Sequence, residues 1–453
     1  MLVLLLFAAG PLPLISPADR ELEAQAETAW KRAHALAGEG RLGDALAEMA
    51  DARGLARRLG GEAHPGHSAT LTWLATWEAK RGGWQAAADH CRDCWRIARA
   101  LHGERSVEAI DAYWVWRGAE RLAALTPAQR AALNEARQQH QQAEGLRQKG
   151  AFAEALALAR RSAEGTASLM GRGHPETAMA ILQAGLSLKE AGRPAEALPL
   201  MRQAAAVYRH AFGENHPKWA AALGNWGLAL QQLGRYREAV PLLRRALAVR
   251  AAALGTRHRL TWQSLNNLAA ALRDAGERRA ALRLCRRALA LAEEALGEKH
   301  PDFAAALGNL GLVIHENGES EEALPLLERS ARLARAARGE NHPDHAACLH
   351  NLASGLQGVG DLKKALETET RAAGIVHRAL GTKHPRHSTF LRGLSALHLG
   401  LGDYPKAMSL VAESAAISRA ALGEKHPDYA EALAAVAGVR RALGDVEAAV
   451  PVQ

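Results

Sequence analysis

Aromatic residues are scarce in this chain: tryptophan, tyrosine and phenylalanine together make up 4% of its 453 residues. A core built on large rings is therefore excluded, and alanine and leucine must carry the packing, which suits helices held at close range. Cysteine is scarcer still, with Cys91, Cys94, Cys285 and Cys348. The last two fall on core-like helix positions and read as small buried apolar residues. His90-Cys91-Arg92-Asp93-Cys94 brings two thiols and an imidazole together on a helix, but no fourth ligand is nearby, so no metal site is assigned there. No apolar run is long enough to cross a bilayer. Catalytic motifs are missing as well. There is no P-loop, no HExxH, no GxSxG, and no dinucleotide fingerprint after a strand, because no strand is expected at all. The glycine-rich Gly355–Gly360 lies at a helix end and not in a phosphate loop. Neither an enzyme activity nor a cofactor is expected.

What is present is a period of 42 residues. Gly150, Gly192, Gly234, Gly276, Gly318, Gly360, Gly402 and Gly444 hold that spacing. An alanine follows each by five positions: Ala155, Ala197, Ala239, Ala281, Ala323, Ala365, Ala407 and Ala449. A third column is His174, His216, His258, His300, His342, His384 and His426, each followed by proline except His258. Three columns in phase mark an array of stacked units, each unable to bury its apolar face alone. The chemistry of such a chain belongs to the stacked surface.

One unit shows the logic. His300-Pro301-Asp302 opens a helix, since proline suits the first helical position and an acid suits the positive end of the dipole. Leu307, Leu310, Gly311 and Ile314 then share one face at spacings of three and four. Gly318 ends this helix. A second helix follows, with Ala323, Leu324, Leu327 and Ser330 on one face, and Gly339 closes it. Short connections make the pair antiparallel. The small residues Gly185, Gly227, Ala269, Gly311, Ala353, Ser395 and Ala437 and the alanine column mark where two helices must meet closely. Pro199, Pro241, Pro325 and Pro451 recur near the fourth or fifth residue of the second helix, which predicts a short irregular first turn and not a break.

The ends and the charge say less. The formal charge is +9, with the arginines mostly spread through the repeats as pairs such as Arg244–Arg245, which reads as a solvated helix face. Nucleic acid is not an expected partner, because the repeat does not gather arginines on one face. Residues 1–18 hold a short apolar run, Leu2–Ala9, with no basic residue before it. Two readings stay open there: a cleaved signal peptide that exports the chain, or an unstructured start on a cytoplasmic protein. Residues 19–105 contain two divergent helical repeats marked by Gly40 and Gly82. Residues 106–149 form a phase-shifting helical insert, read as one extended helix opened by a capping box at Thr126-Pro127-Ala128-Gln129. Seven of the ten tryptophans precede residue 117 and are expected to build a stouter N-terminal core. The regular array spans 150–453, its first helix beginning near 131. Only nine residues follow Gly444, so the last repeat is expected either to continue in a longer chain or to self-associate.

The stretch LGEKHPDFAAALGNLGLVIHENGESEEALPLLERSA resembles the tetratricopeptide repeat, in the 42-residue form of kinesin light chains and many bacterial proteins. The packing columns Leu223, Leu265, Leu307, Leu349, Leu391 and Trp226, Leu268, Leu310, Leu352, Leu394 agree with that pattern. The resemblance covers 131–453 strongly and 21–105 weakly. It implies an all-α, right-handed superhelical solenoid of about ten antiparallel helix pairs. It also implies a concave groove lined by the first helix of each pair, where a protein or peptide partner binds. On those helices it points to Asn225, Asn267, Asn309 and Asn351, whose amides can pair with a peptide backbone in either sense. Gln231, Arg273, His315 and Gln357 are further candidates on the same helices. Gln183, Gly393 and Ala435 break the asparagine column, which places the groove centre at 220–357. The competing role for the asparagines is to brace neighbouring helices. The histidines each sit in a separate loop and are expected to cap helices and not to bind metal. The implied function is a protein-interaction scaffold. The alternative is the regulatory half of a larger bacterial effector, with a caspase-like protease or signalling NTPase domain outside this chain.

Overall fold

The computed structural model describes residues 17–61, 65–148, 151–424 and 427–444. Twenty helices and no strand make up these residues. They are α1 (Pro17–Gly38), α2 (Leu42–Gly60), α3 (Pro65–Lys80), α4 (Trp84–His102), α5 (Val107–Ala124), α6 (Pro127–Gln148) and α7 (Phe152–Met170). There follow α8 (Pro175–Glu190), α9 (Pro194–Phe212), α10 (Pro217–Gln232), α11 (Tyr236–Leu254), α12 (Arg259–Asp274), α13 (Arg278–Leu296) and α14 (Pro301–Glu316). The last are α15 (Ser320–Arg338), α16 (Pro343–Gly358), α17 (Leu362–Leu380), α18 (Pro385–Gly400), α19 (Tyr404–Leu422) and α20 (Pro427–Ala442). The chain divides into two compact units, one of residues 1–135 with 168–171 and one of 136–167 with 172–453. Each contains stacked helix pairs: α1 to α5 in the first unit and α8 to α20 in the second each pack on the next helix in order. The expectations for residues 1–16, for His426 and for the end of the chain from 445 lie outside the described residues.

The histidine column starts the first helices. His174, His216, His258, His300, His342 and His384 each turn Nδ1 onto the backbone N–H two residues on, at 3.1–3.2 Å. An imidazole can accept that bond only when Nδ1 carries no proton, so these caps need neutral histidine with the proton on Nε2. Proline at the next position costs nothing, because its missing N–H is one of the helix's free donors. Each pair then turns through a glycine in the left-handed region, as at Gly318 with φ +93°.

The alanine column is the deepest part of the packing. Ala155, Ala197, Ala239, Ala281, Ala323, Ala365 and Ala407 have no exposed surface. Opposite them a Cβ on Gly311 would sit 2.8 Å from the Leu327 side chain and 3.4 Å from the Ala323 carbonyl. The small-residue positions are therefore set by backbone separation. Leu223, Leu265, Leu307, Leu349 and Leu391 are buried, as their spacing requires.

Two expectations need correcting. Pro199, Pro241 and Pro325 stand at the sixth helical position of α9, α11 and α15, and those helices run 19 residues without interruption. No irregular first turn is needed. All three prolines lie on exposed faces, where water can satisfy the carbonyl left without its donor. The second concerns 106–149, which holds two helices, α5 and α6, and not one. Ser106 caps α5 by accepting from the Ala109 N–H at 3.1 Å. The capping box at α6 forms as read: Thr126 N–H donates to Gln129 Oε1 at 2.9 Å, and Gln129 N–H to Thr126 Oγ1 at 3.3 Å. In the first unit Trp77 is buried, Trp30 and Trp73 pack on its core, and Trp95 stacks on Trp116 at 4.8 Å.

Candidate functional site: the concave face of the second unit

In the second unit the first helices touch their counterparts in the next pair, α10 with α12, α12 with α14, α14 with α16 and α16 with α18. Consecutive second helices approach each other less closely. A stack whose first helices lie closer together must curve toward them, so α8 to α18 line the concave side.

Two polar ladders run along this face. At the helix ends, Arg147 pairs with Glu190 at 2.7 Å, Gln231 Nε2 donates to Asp274 Oδ2 at 2.6 Å, and Arg273 reaches Glu316 at 3.8 Å. Each link joins positions 43 apart, one repeat plus one residue. Arg273 also holds Asp274 at 2.7 Å. His315 turns instead to Ser320 Oγ at 2.9 Å, and burial holds its imidazole below the ordinary value. Gln357 is exposed at the end of α16.

The second ladder is the asparagine column. Asn225 and Asn267 line a hollow of about 350 Å3 with Gln263, Asn266, Arg250 and Asp302. Arg250 donates to the Leu260 carbonyl at 3.2 Å and to Ser264 Oγ at 2.8 Å, yet its Nε has no partner. The Trp262 indole N–H and Asp302 Oδ2, in the same wall, also lack hydrogen-bond partners. Asn309 lies apart: its Nδ2 donates to Asn266 Oδ1 at 2.9 Å, bracing α14 on α12. Asn351 sits beside Gly308, where an added Cβ would lie 3.5 Å from its Nδ2. The structure thus gathers Asn225 with Asn267, and spreads the other candidates along the face.

A larger cavity, about 820 Å3, opens at the ends of the first helices and includes Gln231, Lys189, Asp274 and Tyr236. Its far wall comes from the other end of the array. His384 Nε2–H donates to the Glu190 carbonyl at 2.9 Å, Phe152 lies 5.7 Å from the His384 ring, and the Pro385 ring packs against Gly192. The coil therefore meets itself across 194 residues of sequence. Lys189 belongs to the Gln231, Arg273, His315, Gln357 column and was legible from the period. His384 and Arg386 were not, because they reach the cavity only through the curvature of the stack. Among the described residues no group of three His, Cys, Asp or Glu side chains is placed to hold a metal ion, and no helix is long and apolar enough to cross a membrane.

Known proteins were compared with this architecture. Solved structures similar to the chain include the nearly identical repeats of a putative kinesin light chain from Podosopora anserina, 26% identical over 45% of this chain and 97% of that one, with a TM-score of 0.37. BtubC (BKLC) from P. vanneervenii is 20% identical over 53% of this chain and 93% of its own, with a TM-score of 0.38. A Rap protein complexed with competence and sporulation factor aligns over 90% of this chain and 100% of its own at 12% identity, with a TM-score of 0.54, which shows a shared fold. No curated protein matches the chain. The family model for the tetratricopeptide repeat matches residues 134–210, 219–294, 263–313, 302–376 and 387–452. With those matches spanning well over half of its length, the chain belongs to the tetratricopeptide repeat family.

Proposed function

We propose that the second unit is a protein-interaction scaffold whose concave face binds an extended peptide segment of its partner. The observation that carries this reading is the hollow at Asn225 and Asn267. Its walls carry the amides of Asn225, Asn267 and Gln263, which both donate and accept, with the charged residues Arg250 and Asp302 beside them. A peptide backbone supplies a donor and an acceptor at each residue, and such amides can pair with it in either sense. The family is built for interaction, and one solved structure that shares the fold is itself described in complex with a factor. The test is to select peptides from a random display library against the full chain and map them by hydrogen exchange. Protection concentrated in α10, α12 and α14 supports the reading. Peptides that protect only the first unit or the second helices would overturn it.

A further inference from the structure

The first unit carries a groove of different character, about 850 Å3 in volume and lined by α3, α4 and α5. Its two walls, α3 and α5, begin 42 residues apart, as successive first helices do, yet they approach each other less closely than α10 and α12. The columns that are polar in the second unit are apolar here. The ninth position of α5 is Val115, where α10, α12, α14 and α16 carry asparagine. The fifteenth position of α3 is Ala79, where later first helices carry Lys189, Gln231 and Arg273. Val115 is 60% exposed and Leu101, from α4, is 45% exposed, so two large apolar side chains of one groove face water. Single exposed apolar side chains are ordinary, whereas two in a shared concave lining mark a site. The hydroxyl donors of the wall are spent on its own helix: Thr72 donates to the Ser68 carbonyl at 3.0 Å and Thr76 to the Thr72 carbonyl at 2.8 Å. Cys91 and Cys94 share the lining, and burial raises both thiols, Cys91 to about 11, so they stay protonated and pack as weakly polar groups. The two ends differ. Ser68, His102 and Glu108 stand where α3 and α5 begin and α4 ends, and Ala79, Trp84 and Leu122 stand at the other. At that apolar end Arg130 lies 4.9 Å over the Trp84 ring and donates to the Leu122 carbonyl at 3.1 Å, tying the two together.

We infer that this groove binds the aliphatic chain of a free single-chain amphiphile, its head in water beside Ser68, His102 and Glu108 and its tail toward Trp84 and Leu122. An extended peptide does not suit it, because the peptide carbonyls would meet no strong donor along the walls. A peptide helix satisfies its own backbone but is too wide. The lining follows α5 from Glu108 to Leu122, about 21 Å at the rise of a helix. A volume of 850 Å3 over that length leaves a cross-section of about 40 Å2, less than half that of a helix roughly 10–12 Å across. A hydrocarbon chain needs no partners, and with C–C bonds of about 1.5 Å in a zigzag, roughly 14–16 carbons span the groove. The chain then covers Leu101 and Val115, the two apolar side chains that water now meets.

The experiment uses the full chain and n-alkyl maltosides of 8, 10, 12 and 14 carbons, each below its critical micelle concentration, with phosphatidylcholine vesicles as a separate arm. Binding is read by calorimetry. Affinity is expected to rise about fourfold per added methylene, the equivalent of about 0.8 kcal/mol. Ala112→Phe, which fills the groove from α5, should weaken the 12-carbon maltoside at least tenfold. Val115→Asn, which places there the residue of the second unit's column, should weaken it about fivefold and, at an exposed position, leave melting unchanged. Leu401→Asn, which removes an exposed apolar side chain in the second unit, should change nothing. The unaltered protein gives its own readout: a bound chain should slow alkylation of Cys91 and Cys94 by iodoacetamide at least threefold and leave the rates of the buried Cys285 and Cys348 as they were. Affinity independent of chain length, Val115→Asn binding as tightly as the unaltered protein, or Cys91 and Cys94 left unprotected would each overturn the assignment. Capture by vesicles without binding of monomeric maltosides would give the groove to a bilayer and overturn it as well. So would a library-selected peptide that protects α3 and α5 from exchange, or a dimer in light scattering that Val115→Asn converts to monomer.

Discussion

The contact that closes the second unit can be isolated with two alanines. Gly192 and Gly276 occupy the same turn two repeats apart, with φ of +77° and +80°. Alanine at either position meets the same left-handed backbone penalty, about 1–2 kcal/mol. Their surroundings differ. A Cβ on Gly276 meets nothing within 4 Å, whereas one on Gly192 would lie 2.2 Å from Pro385 Cγ and 2.8 Å from its Cδ. Carbon atoms pack at about 3.5–4.0 Å, so Pro385 must withdraw by more than 1 Å, roughly, for Gly192→Ala to be accommodated. The His384 N–H to Glu190 carbonyl bond, now 2.9 Å, lies on the adjoining residue and lengthens with it. Losing that bond costs about 0.5–1.5 kcal/mol, beyond the turn penalty. Gly192→Ala should therefore melt below Gly276→Ala, scatter X-rays with a larger radius of gyration, and exchange amides faster over 384–390. Gly276→Ala should do none of the last two. Equal melting and equal exchange at 384–390 in the two variants would refute the seam as a contact that holds the coil closed.

Other outcomes follow from the same packing. Asn267→Ala is expected to weaken a library-selected peptide by about 0.5–1.5 kcal/mol in anisotropy titrations with the melting temperature unchanged, while Asn309→Ala lowers melting because it strips the bond to Asn266. The reverse pattern would exchange their roles. Ala323→Leu overpacks a position with no exposed surface and should destabilise by about 1–3 kcal/mol, with amide exchange rising in α14 to α16 and little elsewhere; uniform loss along the array would contradict nearest-neighbour stacking. Acid should loosen the caps. Burial holds His174 and His384 below their ordinary value of 6.5, so the folded state binds fewer protons than the unfolded one. Their contribution is complete above pH 6.5 and is lost as pH falls through the folded values. Protonation removes the Nδ1 acceptor and places a positive charge at the positive end of a helix dipole. Denaturant melts from pH 7.5 down to 5 should show stability declining only below about 6.5, and His174→Asn should flatten part of that decline.

The repeat determined most of the fold before any coordinate. A 42-residue period with glycine, alanine and histidine in phase leaves one economical solution, because neither amphipathic helix can hide its face except against its neighbours. The alanine and small-residue columns are local statements about how closely two helices meet, and the structure buries the described members of both except Ala437, which is partly exposed. The histidine caps were legible for the same reason: a cap acts within two residues of itself. The depth of the prolines was not, since it depends on where the second helix begins, and no side-chain cap marks that start in α9, α11 or α15. What only the tertiary structure decided is which residues share a cavity. Each repeat adds a small rotation to the last, and no side chain records the sum. That sum brings His384, Pro385 and Arg386 against Glu190, Gly192 and Lys189, and so makes one lining out of two distant loops. It also separates the asparagines into Asn225 and Asn267 beside a hollow and Asn309 committed to its neighbour, although the sequence had listed them as equals. Periodicity fixes what adjacent units must do to each other, and curvature, the accumulated consequence of that packing, fixes what distant ones can do together.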